Sequence, residues 1–546
     1  SFLAFFALLP LYMAAKSSKS YKNAALIFAL DALTAHLLSS YWLANFKDFA
    51  VFTLGASAVG TACIEAMAGC LFFFPFADKK GRLRLGKNSI VIEGFRPLCF
   101  AAVRVAYEWA KSTGFLAYPW GVLSMAAGAN KILVQSADVF GTYGLTFLAA
   151  FCSACGGELL LFLEKKRFSL EFSPQMAKNA LTCNIKCLLL ALFLTSCYGI
   201  YQLEKYTPVQ KTLNAVLVQQ NMDPWASSDD GESIKTSMKL SEEGVLEFAQ
   251  EGKTADLVVW SEAVLRYAFP NSIRRYCFYP QEEALASFIQ RMQAPFIIGG
   301  PYVMDAERQA FANAALVFDK EGVFQGYYGK SHLVPFAEVI PGVEYEWVRN
   351  CMEKLVGFSN GWTAGGTYTL FDFDGNYAEK DRAVQIVSVG QRAPRPKVRV
   401  ATPICFEDAF PDICGPFHRA GAELFVNITD DSWSKTKSAE YQHFSVALFR
   451  AVEYRTCLVR STNAGVTCLV DNKGRVIKSA PLFESGRLNV EIPIYPRTQT
   501  VYSSFGNWFP RAILLALALL AFFKALELRP PKLRDLIQAE LKKIEF

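Results

Sequence analysis

The sequence predicts a bundle of membrane-spanning helices joined to a layered α/β domain. Apolar residues are bunched into several runs long enough to cross a bilayer, whereas residues 208–500 have an ordinary globular composition. Of the 546 residues, 52% are hydrophobic, which is unusual for a soluble protein. The net charge is +6, but the basic residues cluster beside the apolar runs, as in positive-inside membrane proteins. We therefore expect the chain to contact a lipid bilayer and not a nucleic acid.

Seven apolar stretches are predicted to cross the membrane. They cover residues 1–15, 24–44, 49–76, 95–110, 139–163, 181–203 and 508–528. The first stretch is short, and we interpret it as an incomplete or truncated span. The Gly-rich segment 114–138 is too irregular for a simple helix and is predicted to be interfacial or re-entrant. The predicted domains are an N-terminal transmembrane bundle (1–203), a globular domain (204–507), a C-terminal transmembrane helix (508–528) and a basic tail (529–546).

The distribution of basic residues predicts the orientation. Basic loops at 16–22, 79–87 and 164–178 and the basic tail are separated from one another by even numbers of predicted spans. All four can therefore face the cytoplasm. The globular domain follows one further crossing, so it is expected on the opposite, exported side.

Within residues 204–507, apolar strand patterns alternate with helical patterns, which predicts a layered α/β domain. The predicted strands are 214–219, 257–260, 296–299, 314–318, 323–328, 398–404, 424–427, 457–460, 467–471 and 475–478. The predicted helices are 233–250, 406–420 and 441–455. Segment 342–366 has little regular pattern and carries apolar residues such as Trp347 and Phe358, so we expect it to form a lid.

Three residues at predicted strand ends could do chemistry together. Cys405 lies where a strand turns into a predicted helix, and the positive end of a helix dipole favours a thiolate. Glu262 and Lys330 also follow strands, so a carboxylate base and an oxyanion-stabilising ammonium could meet the thiol. Taken singly, Cys405 could equally be one of 14 cysteines that only pack, and Glu262 and Lys330 could be surface charges.

The order of the motifs around these residues resembles that of the nitrilase, or carbon-nitrogen hydrolase, superfamily. Within it, the membrane-embedded apolipoprotein N-acyltransferase family is the most similar, over essentially the whole chain. The motifs are WSE (260–262), YGKSHLVPFAE (328–338), PICFED (403–408), NITDDSW (427–433), QHFSVALFRAVEYRTCLVRSTNAGVT (442–467) and FGNW (505–508). The resemblance implies a nitrilase-like α-β-β-α sandwich facing the periplasm, on a multi-pass protein of the bacterial inner membrane.

The resemblance also implies a role for each matching residue. Glu262 would be the general base, Lys330 the oxyanion-stabilising residue and Cys405 the nucleophile. The matching acidic positions that would support the site are Glu338 and Glu407. The positions that would lie near the substrate path are Trp260, Asn313 and Trp433. The chain has Ser261, Gly329 and Phe406 where the family often has Pro, Asn and Tyr, which would affect fine geometry only.

The implied reaction is a two-step, ping-pong acyl transfer through a Cys405 thioester. The donor would be the sn-1 acyl chain of a membrane phospholipid. The acceptor would be the α-amino group of the N-terminal S-diacylglyceryl-cysteine of a lipoprotein. This chemistry implies no cofactor, and no Cys or His spacing in the sequence suggests a metal site.

Two other functions are compatible with parts of the sequence. A membrane-tethered amidase or other hydrolase could use the same three residues, but a small polar substrate gives no reason for many spans. A transporter or receptor with an exported ligand-binding domain could use the intramembrane charges Glu65, Arg104 and Glu108 as a pathway. That reading leaves the ordered motifs unexplained, whereas pairing between helices would account for the charges.

Overall fold

The computed structural model describes residues 2–45, 51–78, 93–164, 174–223, 229–278, 283–340, 342–343, 345–356, 361–378 and 394–528. The chain divides into two compact units. The first comprises Ser1–Tyr41, Leu54–Tyr201 and Asn507–Phe546, and the second Trp42–Thr53 and Gln202–Gly506. The predicted basic loop 79–87, most of loop 164–178 and the basic tail 529–546 lie outside the described residues.

The first unit is helical. Its helices are α1 Leu9–Lys16, α2 Tyr21–Ser39, α3 Ser57–Phe73, α4 Arg96–Lys111, α5 Leu123–Ala127, α6 Lys131–Val134, α7 Ala137–Phe140, α8 Thr142–Leu163, α9 Pro174–Glu204 and the C-terminal helix Trp508–Leu528. Within the described residues, four stretches are long and apolar enough to cross a membrane: Thr53–Phe76, Thr142–Leu163, Lys178–Glu204 and Trp508–Leu526. The remaining predicted spans fall on α1, α2 and α4, which are shorter or less apolar.

The charged residues inside this unit pair with one another. Arg104 of α4 forms an ion pair with Glu65 of α3, and its Nε donates to Glu108 Oε1 at 3.3 Å. The Thr146 hydroxyl of α8 donates to Glu108 Oε2 at 2.6 Å. These contacts join three helices and offset the cost of placing charges away from water. Helix pairing therefore accounts for these residues without a transport pathway.

The second unit contains two β-sheets. Its strands are β1 Lys211–Gln219, β2 Leu257–Val259, β3 Phe296–Asp305, β4 Ala310–Phe318, β5 Phe324–Gly329, β6 Leu370–Asp374, β7 Asn376–Tyr377, β8 Lys397–Ala401, β9 Leu424–Thr429, β10 Cys457–Thr462, β11 Cys468–Val470, β12 Val476–Ser479 and β13 Gly486–Ile494. One sheet has the order β13-β1-β2-β3-β4-β5, with β7 on β1. The other has the order β12-β11-β10-β9-β8-β6. The central strands β1, β2 and β3 are parallel, as are β8, β9 and β10.

Helices pack on both sheets. The helices of this unit are α10 Gly231–Gln250, α11 Ile273–Phe278, α12 Leu285–Met292, α13 Glu346–Val356, α14 Pro411–Ala420, α15 Lys437–Tyr454 and α16 Val501–Phe505. Helix α10 packs on β1 and β13, and α15 packs on β10. The sheets face each other, because the Ser461 hydroxyl of β10 donates to Val218 O and Val259 O of the first sheet at 3.1 and 3.0 Å. The predicted layered α/β domain is therefore confirmed, with layers in the order α-β-β-α.

The core between the first sheet and its helices is apolar and closely packed. Its fully buried residues include Val216, Ile234, Val258, Trp260, Phe288, Phe296 and Ile298. The Trp260 indole packs edge-on against Phe296, and its N–H donates to Ser241 Oγ of α10 at 2.8 Å. A buried tryptophan is stable there because its polar atom has a partner. This core fixes the strand that precedes Glu262.

Some predicted elements differ from the observed ones. The helix expected over 406–420 is divided into a 3-10 turn, Cys405–Ala409, and α14. Phe410 between them has extended backbone angles because it precedes Pro411, which disfavours the helical region for its neighbour. Segment 342–366, predicted to lack regular structure, contains α13. Phe358 of this segment lies outside the described residues.

We expect Gly299→Ala to destabilise the second unit. A Cβ at Gly299 in β3 would lie 2.6 Å from Glu262 Cα, so the backbone that carries Glu262 would have to move. Such overpacking costs about 1–3 kcal/mol. The midpoint of thermal unfolding in detergent should fall clearly below that of the unmodified protein. In the control variant Gly486→Ala, the added Cβ meets nothing within 4 Å, and the midpoint should stay unchanged. Equal midpoints for the two variants would contradict the packing at Gly299.

Candidate active site

The candidate site forms where three strands end. Glu262 follows β2, Lys330 directly follows β5, and Cys405 begins the 3-10 turn after β8. Lys330 Nζ lies 3.3 Å from Glu262 Oε1, and the Cys405 thiol interacts electrostatically with both. The structure therefore brings together three residues that are 143 positions apart along the chain at their extremes. Glu262 and Lys330 are at most 6% exposed, whereas Cys405 is partly exposed.

Lys330 is held between two carboxylates. Its Nζ donates to Glu338 Oε1 at 2.8 Å and to Glu262 Oε1 at 3.3 Å. Burial by itself lowers the pKa of this ammonium, but the Glu262 and Glu338 carboxylates raise the pKa of Lys330 well above its usual value. Asn313 Nδ2 joins the same two carboxylates, at 2.7 Å from Glu262 and 3.0 Å from Glu338. Lys330 is therefore a fixed positive charge beside the thiol.

Backbone N–H groups hold the outer oxygens of these carboxylates. Glu262 Oε2 accepts from the N–H of Asp430 at 2.9 Å. Glu338 Oε2 accepts from the N–H of Val334 at 2.8 Å. All four oxygens of the Glu262 and Glu338 carboxylates therefore accept hydrogen bonds. These bonds hold Glu262 in one orientation toward Lys330. A base that is oriented before substrate arrives is suited to proton transfer.

The backbone at Cys405 adopts a strained conformation. Its φ is +50°, a region that non-glycine residues adopt rarely and at a cost of about 1–3 kcal/mol. Asn427 Nδ2 donates to Cys405 O at 3.0 Å and to Pro403 O at 3.2 Å, so neighbouring groups fix this conformation. Strain of this kind is often found where a side chain must be aimed out of a strand. The turn therefore fixes the direction of the Cys405 side chain.

Glu407 joins the Cys405 turn to the segment after Lys330. Its Oε2 accepts from the Ile404 N–H at 2.8 Å. Its Oε1 accepts from the N–H groups of Ser331 and His332 at 2.7 and 3.0 Å, and from the Tyr328 hydroxyl at 2.9 Å. Burial raises the pKa of Glu407 to about 7, and these hydrogen bonds oppose the rise. Glu407 therefore has a positioning role, without touching the thiol.

The thiol itself differs from the expectation. The helix dipole at Cys405 was predicted to favour thiolate, but burial and the nearby Glu262 carboxylate raise the pKa of Cys405 well above its usual value. Lys330 and a hydrogen bond with Thr429 act in the opposite direction and are outweighed. The following helical element is also only a five-residue 3-10 turn, which has a small dipole. The resting thiol is therefore neutral and needs a base to become a nucleophile.

The residues predicted near the substrate path occupy three different environments. Asn313 belongs to the charged cluster, where it orients two carboxylates. Trp433 is half-buried, and its ring lies 5.7 Å from that of Trp42 within the same unit. Trp260 is fully buried in the core. Its position near the substrate path stays a prediction.

Two of the three residues that differ from the family pattern, Ser261 and Gly329, make contacts that the structure shows. The Ser261 hydroxyl accepts from Gln220 Nε2 at 2.6 Å. Gly329 permits the close approach of segment 361–366, because a Cβ there would lie 3.1 Å from Gly365 Cα. The Gly365 N–H donates to Lys330 O at 2.8 Å, so this approach anchors the end of the predicted lid beside the site.

Sequence reasoning missed Asp430 and Asn427, which act through a backbone N–H and an amide. Both lie in the NITDDSW stretch. The motif identified this segment, but it did not indicate which of its atoms would make the contacts. Among the residues that the structure describes, no group of three or more His, Cys, Asp or Glu side chains is arranged to hold a metal ion. The arrangement supports acyl transfer by a base-activated thiol.

Comparison with known proteins identifies similar sequences along most of the chain. Residues 1–155 match the apolipoprotein N-acyltransferase N-terminal domain, and residues 214–499 match the carbon-nitrogen hydrolase domain. Apolipoprotein N-acyltransferase 2 of Treponema denticola is 38% identical over 516 residues, covering 94% of this chain and 90% of the relative.

Two further relatives have the same extent. Apolipoprotein N-acyltransferase 2 of Treponema pallidum is 36% identical over 545 residues, covering 96% of this chain and 89% of the relative. Apolipoprotein N-acyltransferase of Borreliella burgdorferi is 28% identical over 513 residues, covering 93% and 88%. The similarity therefore includes both units of the structure.

We expect alkylation of Cys405 by iodoacetamide to be slow at pH 7 and to keep rising above pH 9. The raised pKa keeps the thiolate fraction low, and each unit of pKa lowers that fraction about tenfold. Labelling is measured in the intact protein by peptide mass spectrometry across a pH series. Cys351, exposed on α13, reports the activity of the reagent in the same sample. A Cys405 labelling rate that reaches a plateau below pH 8 would mean that the resting group is a thiolate and would contradict the raised pKa.

Proposed function

Because the chain belongs to the apolipoprotein N-acyltransferase family, we propose that it moves a fatty acyl chain from phospholipid to lipoprotein. It is a membrane enzyme of lipoprotein N-acylation. The proposed donor is the sn-1 ester of a membrane phospholipid. The proposed acceptor is the α-amino group of an N-terminal S-diacylglyceryl-cysteine. The observation that supports this proposal is the meeting of Cys405, Glu262 and Lys330 at the ends of three strands, with Lys330 Nζ 3.3 Å from Glu262 Oε1.

In the first step, Cys405 takes the acyl chain. Glu262 accepts the thiol proton as the sulfur attacks the ester carbonyl, and Lys330 stabilises the oxyanion that forms. The carbon–oxygen bond to glycerol then breaks, and Glu262 returns the proton to the departing lysophospholipid oxygen. A Cys405 thioester remains. Since the resting thiol is neutral, attack and proton transfer have to be coupled at this base.

In the second step, the lipoprotein amine replaces the sulfur. The amine nitrogen attacks the thioester carbonyl, and Lys330 again stabilises the oxyanion. The carbon–sulfur bond breaks, while Glu262 takes a proton from the nitrogen and returns one to sulfur. The products are an amide and the free Cys405 thiol. This ping-pong sequence needs no cofactor, because the ester, the thioester and the amine supply every bond that changes.

The proposed location follows from the substrates. Both carry acyl chains in the outer leaflet of the bacterial inner membrane, so we place residues 204–507 in the periplasm and the tail 529–546 in the cytoplasm. Exposing a chain to water would cost about 0.8 kcal/mol per CH₂ group, so a site at the bilayer surface favours transfer. The transmembrane segments proposed over 1–203 and 508–528 keep the enzyme at that surface.

Segment 342–366 is proposed to act as a lid over the thioester. Its far end is anchored at the site, because the Trp362 N–H donates to Glu338 O at 2.7 Å and the Gly365 N–H donates to Lys330 O. Its helix α13 exposes Trp347, with 74% of its surface accessible. An exposed tryptophan at one end and anchored backbone at the other are suited to cover an acyl chain and exclude water.

We expect Cys405→Ala to abolish both acyl-enzyme formation and acyl transfer. Intact-protein mass spectrometry after incubation with a defined phospholipid should show an added fatty acyl mass on the unmodified protein only. The control variant Cys414→Ala removes another buried thiol of the same unit and should keep the adduct. An adduct that persists on Cys405→Ala would exclude this residue as the nucleophile.

The same labelled donor separates transfer from hydrolysis. With a diacylglyceryl lipopeptide present, the label should appear on its amine. Label recovered only as free fatty acid would instead support a membrane-tethered hydrolase with water as the second nucleophile.

We expect Trp347→Ser to slow transfer and to increase the share of label released as free acid. Loss of the exposed indole removes apolar cover from the acyl chain, so water reaches the thioester more often. Phe358→Ser, at a residue outside the described ranges, is expected to act in the same direction. The thermal midpoint should be unchanged, because Trp347 is exposed. Unaltered transfer and hydrolysis rates in both variants would refute the lid.

A further inference from the structure

A second group of buried charges lies next to the Cys405 turn and is separate from the Glu262 cluster. We call it the histidine cluster; its members are Asp408, Asp431, His443 and Arg460. His443 Nδ1 lies 2.8 Å from Asp431 Oδ2, and His443 Nε2 lies 2.9 Å from Asp408 Oδ1. Arg460 forms an ion pair with Asp408, and its second terminal nitrogen lies 3.6 Å from Asp431 Oδ2. None of the four side chains is more than 10% exposed.

The geometry favours the doubly protonated form of His443. A neutral imidazole has one N–H and one lone pair, so one ring nitrogen would face a carboxylate oxygen with no proton between them. Both ring nitrogens face aspartate oxygens at hydrogen-bonding distance, and the imidazolium can donate to both. Two cations, His443 and Arg460, then balance two carboxylates. Such pairing is what allows charges to be buried.

A further titratable group that interacts with the ring agrees with this state. Glu440, on the same helix α15, is buried, and burial raises its pKa to about 9, so it is uncharged at neutral pH. Burial and Arg460 lower the pKa of His443, but Asp431 and Asp408 outweigh them and raise it to about 9. The imidazolium is therefore the stable form at neutral pH.

The histidine cluster joins the two segments that the reaction depends on. Asp408 belongs to the turn Cys405–Ala409, three residues after the thiol. Asp431 follows Asp430, whose N–H holds Glu262 Oε2 at 2.9 Å. One ring thus contacts the segment of the nucleophile through one nitrogen and the segment that orients the base through the other.

We propose that His443, held as an imidazolium between Asp408 and Asp431, is a positioning residue that fixes the placement of Cys405 relative to Glu262. This inference rests on the proposed roles of those two residues. His443 touches neither the thiol nor a substrate in this scheme. When the ring loses a proton or is replaced, one buried carboxylate faces an acceptor, and the two segments move apart.

The first test is the protonation state of the ring. The chain has four histidines, so ¹⁵N-histidine-labelled protein in lipid gives few signals in magic-angle-spinning NMR. The signal that is missing from the spectrum of the His443→Gln variant is that of His443. We expect both ring nitrogens of His443 to be protonated at pH 7 and to titrate near pH 9. His332 and His418, whose pKa burial lowers to about 4, should be neutral at pH 7. A neutral His443 ring at pH 7 would overturn the proposal.

The second test is the kinetic effect of His443→Gln. Acylation by p-nitrophenyl butyrate is followed as a burst of p-nitrophenol, with Cys405→Ala as the blank. We expect the maximal burst rate to fall about 10- to 100-fold, with little change in the ester concentration that gives half of it, because a displacement of about 1 Å costs up to that factor. The control His418→Gln replaces a buried histidine outside both clusters and should keep the original burst rate. A folded His443→Gln protein with an unchanged burst rate would refute the assignment.

Failure of this inference can be told apart from failure of the proposed function. The activated ester is not a lipid, so a normal burst without a phospholipid adduct refutes the donor and leaves the role of His443 standing. If His443→Gln does not fold, the pH dependence of the burst rate in the unmodified protein provides the test. Its burst rate should then fall reversibly above pH 9 in step with the NMR titration. A rate that does not fall across that titration would count against His443.

Discussion

The site depends on one ammonium buried between two carboxylates. Lys330 is 1% exposed, and without a partner such a charge would be strongly destabilising. Glu262 and Glu338 compensate it, and Asn313 adds a neutral donor that both carboxylates share. Of the two charges nearest the thiol, the Glu262 carboxylate raises the pKa of Cys405 and the Lys330 ammonium lowers it, while burial adds to the rise.

Segments distant in sequence are held around this ion pair mainly through backbone groups. Glu407 gathers N–H groups from the Cys405 turn and from the residues after Lys330, and the Asp430 N–H fixes Glu262. Backbone donors cannot rotate away as side chains do. The strained φ at Cys405 is held separately, by the side-chain amide of Asn427. The two facing sheets, which are rigid, therefore fix the orientation of Glu262, Lys330 and Cys405.

The sequence predicted the strands better than the chemistry of the thiol. Apolar runs such as 214–219 and 257–260 revealed buried parallel strands directly, because such strands are apolar on both faces. Strand β13 was not predicted, although Arg487, Asn489 and Glu491 alternate with apolar residues as in a half-buried strand. The Cys405 pKa could not be predicted, because it is set by burial and by a carboxylate 143 residues away. The hydrogen bond from the Asp430 N–H to Glu262 could not be predicted either, because every residue except proline carries a backbone N–H.

The neutral resting state of Cys405 has a consequence for its resistance to oxidants. Hydrogen peroxide and disulfide oxidants react with the thiolate and convert it to sulfenic acid or a mixed disulfide. In the proposed reaction the sulfur becomes anionic only while an ester carbonyl is in reach, so it presents little thiolate between turnovers. The raised pKa of Cys405 therefore lowers the fraction of thiolate that oxidants can attack at rest, and Glu262 is the proposed base that removes the proton when the acyl donor arrives.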